Sequence, residues 1–151
     1  FNIWADPEAA QIVLTSGVKT ITMVPLDATH RANFTREDEA ELRRIGTPLA
    51  VAVADLLDER IVAYNAYQPQ DLPDSAPLHD ALCVAYLLDP EVLRDVRFMR
   101  VDVDMSGGFA DGQTICDTRA YPDRPENCYD ALDADRLRFS RMVIEMIRNF
   151  R

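Results

Sequence analysis

Lysine is almost missing from this chain. Lys19 is the only one in 151 residues, so the 16 basic groups are nearly all arginine, and against 26 acidic residues they leave a net charge of −10. No stripe of positive charge forms anywhere, which argues against a partner bound through a nucleic-acid backbone. Cysteine is scarce as well. Cys83, Cys116 and Cys128 are odd in number and contain no C-x-x-C pair, which argues against a zinc site or a disulfide framework. A reducing, cytoplasmic compartment is the simplest reading. Cys83 lies in an apolar run and reads as a small buried hydrophobe. No stretch approaches the roughly 18 apolar residues of a membrane span, and the opening residues carry no signal-peptide pattern. Internal repeats and low-complexity tracts are absent too, so residues 1–151 read as one domain.

What is present is ordinary for a globular chain: 48% apolar and 28% charged residues. Asp6-Pro7 is a helix start, since aspartate caps orphan N–H groups and proline suits the first helical position. That helix should run to about Ser16 and stop at Gly17. Residues 19–26 are β-branched and apolar and read as a buried strand. A helix followed closely by a strand points to an α/β layered fold. Thr35 opens a second helix, with Glu37, Asp38 and Glu39 in its first turn, Arg43 and Arg44 in its last, and Gly46 closing it. Thr47-Pro48 opens a third, reaching about Tyr64.

Residues 68–77 hold prolines, aspartates and a serine and read as a loop. The run from Asp80 to Leu88 is too uniformly apolar for a surface helix and reads as a buried one. Residues 96–104 alternate, with Met99, Val101 and Val103 facing one way and Arg100, Asp102 and Asp104 the other, as in a half-exposed strand. Gly107-Gly108 turns it, and 113–119 pairs with it as a hairpin. A loop at 121–127, a short strand at 128–132 and an amphipathic helix at 135–150 complete the chain.

Chemistry concentrates at His79-Asp80, where a polar loop enters an apolar helix. The orphan N–H groups and positive dipole end of that helix favour a carboxylate at Asp80. Read by spacing alone, Asp80 is an N-cap and His79 a loop residue. A second pattern, Asp102-Val103-Asp104-Met105-Ser106-Gly107, resembles the start of an EF-hand loop, but its twelfth position is Gln113, which cannot supply the bidentate carboxylate. A strand end followed by a glycine turn accounts for it.

Two segments carry a family resemblance. Phe1-Asn2-Ile3-Trp4-Ala5-Asp6-Pro7-Glu8-Ala9-Ala10 resembles the F-N-x-x-x-D-P-E-A-A signature of the inosine-uridine-type nucleoside hydrolases, and Pro77-Leu78-His79-Asp80 resembles their P-x-H-D signature. The resemblance covers essentially the whole chain and matches the C-terminal half of a family member. It implies an open, mainly parallel α/β sheet flanked by helices, and calcium-assisted hydrolysis of ribonucleosides to ribose and free base. Transferred residue by residue, it makes Asp80 a calcium ligand that also touches the ribose and His79 the acid that protonates the leaving base. It makes Asn2 a partner of a ribose hydroxyl, with Phe1 beside it. Tyr67, ahead of Tyr64, is the aromatic that covers the base. Neither nucleic acid nor membrane is an expected partner, whereas a homo-oligomer is.

The family's aspartate cluster, D-x-D-x-x-x-D-D, which holds the water-activating base and most of the metal ligands, occurs nowhere in these residues. The missing N-terminal half would therefore have to act with this chain, in cis or as a separate chain. Two other readings stand beside the enzyme: a non-catalytic α/β domain for binding or subunit association, and a small calcium module built on the 102–113 turn.

Overall fold

The computed structural model describes residues 1–150. In chain order the elements are α1 (Asn2–Ala5), α2 (Pro7–Thr15), β1 (Thr22–Met23), α3 (Leu26–Thr29), β2 (Phe34–Thr35), α4 (Arg36–Ile45), α5 (Pro48–Tyr67) and β3 (Ser75–Ala76). There follow α6 (His79–Leu88), a 3-10 turn (Pro90–Val92), β4 (Leu93–Val103), β5 (Thr114–Asp117), β6 (Cys128–Ala134) and α7 (Arg136–Asn149). The architecture is α/β. Internal packing groups the chain into two units, Phe1–Met23 with Val96–Asp130, and Val24–Asp95 with Ala131 onward.

The first unit is built on a sheet of strand order β1-β6-β4-β5. β1 runs parallel to β6, with Thr22 opposite Tyr129, whereas β4 and β5 form the expected antiparallel hairpin from Arg100–Asp117 to Val103–Thr114, so the sheet is mixed. Met99, Val101 and Val103 are buried as their alternation predicts. Asp6 caps α2 by accepting from the Ala9 N–H at 2.9 Å. Asn127 acts as a one-residue strand: its amide accepts from the Val101 N–H at 2.8 Å and donates to the Val101 carbonyl at 2.9 Å. Gln11 likewise joins α2 to β4, accepting from the Val103 N–H and donating to Asp102.

The second unit holds a helical core. α4 opens on a reciprocal capping box between Thr35 and Asp38 and closes on Gly46 at φ 75°. α5 buries Ala50, Ala54, Leu57 and Ile61, a stripe of helical spacing, and packs on α4. Phe34 and Phe139 meet edge-to-face at 5.2 Å in the same core. Arg43 pairs with Asp55, and Arg36 with Asp58, across the α4–α5 seam.

Three sequence expectations change. The strand expected over 19–26 shrinks to Thr22–Met23, because Pro25 and the acidic first turn at Asp27 start α3 instead. α6 is not a buried helix. It buries only Leu82 and Ala85, while Val84, Leu87 and Leu88 are exposed. Cys83, on that outer face, is exposed rather than buried. Uniform apolarity says a helix is hydrophobic all round; it does not say which faces this chain covers.

Candidate functional site

α6 begins at His79, one residue earlier than the sequence suggests. Its N-cap is Leu78, which makes no side-chain cap, so Asp80 is a first-turn residue and not the cap itself. Asp80 is exposed and makes no hydrogen bond or ion pair among the described residues. Its carboxylate stands at the positive end of the helix, available to an outside group.

The His79 ring is held from both sides. Nε2 lies 2.8 Å from the Tyr64 hydroxyl on α5, and Nδ1 lies 2.9 Å from the Thr29 hydroxyl at the end of α3. His30, the next residue after Thr29, meets the Tyr64 ring edge-on at 6.2 Å and the His79 ring at 5.8 Å. Arg60, one turn before Tyr64, sits over the Tyr64 ring at 5.4 Å and donates to the Pro77 carbonyl. The two histidines of the chain thus share one aromatic cluster, and the His30 Nε2 is buried in it without a hydrogen-bond partner.

Burial lowers the His79 pKa, the positive charges of Arg60 and then His30 lower it further, and Asp80 opposes them. Burial lowers the His30 pKa too, against Asp27. Both rings are therefore neutral near pH 7. Beside the cluster lies a cleft of about 320 Å³ lined by Asp27, His30, Arg31, Gln70 and Asp71 among others.

The other sequence candidates are placed as follows. Tyr67 ends α5 and is 88% exposed, one turn beyond Tyr64. Asn2, in α1, belongs to the first unit, as does Phe1, which is 91% exposed and packs on Trp4. Thr29, His30 and Arg60 were not flagged by the sequence. His30 carried a signal, being one of only two histidines, but Thr29 and Arg60 gain their place from tertiary structure alone.

The described residues do not fit calcium by themselves. No group of three or more His, Cys, Asp or Glu side chains among them could hold a metal ion, and calcium takes six to eight oxygens. The 102–113 turn is no exception. Asp102 is paired with Arg100 and Arg124, Asp104 accepts from the Ser106 N–H, and Asp111 accepts from the Gly107 N–H. Its carboxylates are engaged by arginines and by turn backbone.

A sequence model of the inosine-uridine preferring nucleoside hydrolases matches residues 1–141. The chain is 37% identical over 150 residues to the pyrimidine-specific ribonucleoside hydrolase RihA of Photobacterium profundum, a match covering 99% of this chain and 47% of that protein. It thus spans about half the length of the curated relatives it matches. The purine-preferring ribonucleoside hydrolase from Gardnerella vaginalis superposes with a TM-score of 0.81 at 30% identity, over 97% of this chain and 45% of that one. An inosine-guanosine nucleoside hydrolase superposes with a TM-score of 0.83 at 20% identity, over 100% of this chain and 46% of that one, a likeness of fold.

Proposed function

Because the chain belongs to the inosine-uridine preferring nucleoside hydrolase family, we propose that it forms part of an enzyme that splits ribonucleosides into ribose and free base. The observation that carries this reading is the His79 ring, clamped between two hydroxyls one residue before a partnerless, exposed Asp80. Breaking the ribose–base bond builds positive charge on the sugar and negative charge on the departing nitrogen. His79, once protonated at Nε2, is the group to give that nitrogen its proton and return to the neutral ring. Its lowered pKa makes the imidazolium the stronger acid, while the neutral ring is the resting form near pH 7. Asp80 faces the ribose, and the exposed Tyr67 covers the base.

A bound calcium would orient the ribose diol and acidify the attacking water. Asp80 would give it one carboxylate, the remaining ligands and the water-activating base coming from residues outside these 151. The half of the fold that the relatives carry beyond this match is the proposed source, in cis or as a separate chain, within a cytoplasmic homo-oligomer. The non-catalytic reading rests on one fact, that no such carboxylate cluster occurs in these residues.

The deciding experiment is ribose release from inosine and uridine, in calcium, by this chain joined to the N-terminal half of a family member. The names of the relatives span purine and pyrimidine preference, so both nucleosides are needed. Release that Asp80→Asn reduces by about a hundredfold or more supports the proposal. Equal release from the variant, or none from the parent, rejects it in favour of the non-catalytic domain.

A further inference from the structure

Thr29 is buried, at 3% exposure, and its hydroxyl meets the His79 Nδ1 across fifty positions of sequence. The segment that presents it is rigid for stated reasons. Pro25 precedes α3, the Thr29 N–H donates to the Pro25 carbonyl at 3.0 Å, and the neighbouring Ala28 and Ala32 are fully packed. Threonine is branched at Cβ, so its χ1, and with it the direction of the hydroxyl, has few choices. His30 then packs against the faces and edges of both His79 and Tyr64. The result is a ring gripped between an aliphatic alcohol on Nδ1 and a phenol on Nε2.

A neutral imidazole has one N–H and one lone pair, and its neighbours decide which nitrogen carries which. A phenolic O–H is the more acidic, stronger donor of the two hydroxyls here, so it gives its hydrogen to a nitrogen lone pair. The aliphatic hydroxyl is left as the acceptor. We infer that Thr29 is the positioning residue of this site: its hydroxyl accepts from Nδ1–H and holds the plane of the His79 ring, while the Tyr64 O–H donates to the Nε2 lone pair and sets the tautomer. Thr29 need not touch substrate to do this; it acts only through His79. The catalytic meaning of the arrangement rests on the reading of His79 given above, whereas the tautomer rests on the two hydroxyl contacts and their relative donor strength.

Ring ¹⁵N NMR of this 151-residue chain tests it, at about pH 8, where histidines with an ordinary pKa near 6.5 are neutral. With two histidines in the chain, one substitution assigns each set of signals. The expected spectrum of His79 shows Nδ1 protonated and Nε2 unprotonated. In Thr29→Val, which keeps the shape and removes the hydroxyl, the two His79 signals should move together or exchange. Thr29→Ser should restore them. Tyr64→Phe should lower the Nδ1–H population, because the phenolic donor to Nε2 is gone and the Thr29 hydroxyl can donate as well as accept; this second variant decides the matter if Thr29→Val does not fold.

A wild-type ring protonated at Nε2, an unchanged His79 pattern in Thr29→Val, or an unchanged His79 pattern in Tyr64→Phe each overturns the inference. In the joined enzyme, Thr29→Val should lower kcat about tenfold or more with little change in KM, and Thr29→Ser should recover it. Absence of any turnover would remove the hydrolase reading and leave the NMR result to stand or fall by itself.

Discussion

The Tyr64 hydroxyl and Nε2 of His79 share a hydrogen bond of 2.8 Å between the last turns of α5 and the first residue of α6. This bond closes the side of the ring away from Thr29, and in the proposed mechanism it sets Tyr64 beside the nitrogen that would carry the transferred proton. Tyr64→Phe keeps the ring packing with His30 and Arg60 but removes the hydroxyl. In the complete enzyme it should reduce ribose release by about a hundredfold, the low end of what an acid–base group contributes. Tyr67→Phe, at an exposed position, should leave the rate within a factor of about two while altering KM. Steady-state kinetics on the two variants check this. A Tyr64→Phe enzyme with unchanged kcat would place the proton transfer elsewhere.

Both histidines have pKa values below the ordinary 6.5, from burial first in each case. The sign follows from proton counting: as pH falls through about 6.5 the unfolded chain takes protons before the folded one does, so stability drops. The loss levels off once the folded rings also protonate. Carboxylates act lower on the scale. Arg119 holds Asp117 down to about 2, and Arg100 holds Asp102 low, so their contributions are intact above the usual 3.8 and disappear as pH falls through the folded values. Melting temperature against pH should therefore show a first decline below about 6.5 and a second below about 4. His30→Gln should flatten the first step and leave the second. A profile flat from pH 7 to 5 in the parent protein would contradict the burial of the two rings.

How much of this was legible in the sequence depended on whether the cause was local. Asp6-Pro7, Thr35 with Asp38 and Gly46, and Thr47-Pro48 place three helix starts and one stop to within a residue, because capping involves neighbours in sequence. The alternation around Val101 gave the right faces of β4 for the same reason. The strand expected over 19–26 failed where β propensity met a stronger local signal in Pro25-Leu26-Asp27. The outer face of α6 failed for a different reason: exposure is a property of the packed molecule. In the site, the motif located His79 and Asp80, but Thr29 lies fifty positions away and its role exists only after α3 and α6 have packed.

Among the five glycines, Gly112 is the one where a side chain is least tolerated. At φ 79° a Cβ there would lie 2.5 Å from the Trp4 Cα, a main-chain atom that cannot swing away. Gly107 has a similar φ of 69° but open space around it. Gly112→Ala should cost about 2–4 kcal/mol, combining backbone strain with overpacking, and Gly107→Ala about 1–2 kcal/mol from strain alone. Urea midpoints at fixed m-value measure both. Equal costs would show that α1 yields freely at Trp4.

α6 offers a second matched pair. Leu82 is 1% exposed, so Leu82→Ala should cost about 2–5 kcal/mol through lost burial and a cavity. Leu87, on the opposite face, is 79% exposed, and Leu87→Glu should change stability by less than about 0.5 kcal/mol while reducing self-association. Thermal melts and light scattering read the two effects. A Leu87→Glu penalty as large as that of Leu82→Ala would mean that the outer face is covered when this chain stands alone.

Calcium separates what this chain holds from what the enzyme would need. Asp80 is one carboxylate, with no cluster of three potential ligands among the described residues. A chelator should therefore leave the melting temperature of the 151-residue chain unchanged, since a metal that does not bind the native state adds nothing to its stability. In the joined enzyme the same chelator should stop ribose release, and added calcium should restore it. Asp80→Asn should weaken that restoration, shifting the calcium dependence to higher concentration, while the melting curve of the chain alone stays where it was. A chelator-induced fall of several degrees in the isolated chain would instead reveal a metal site built from these residues, and the proposal that the remaining ligands come from outside them would have to be abandoned.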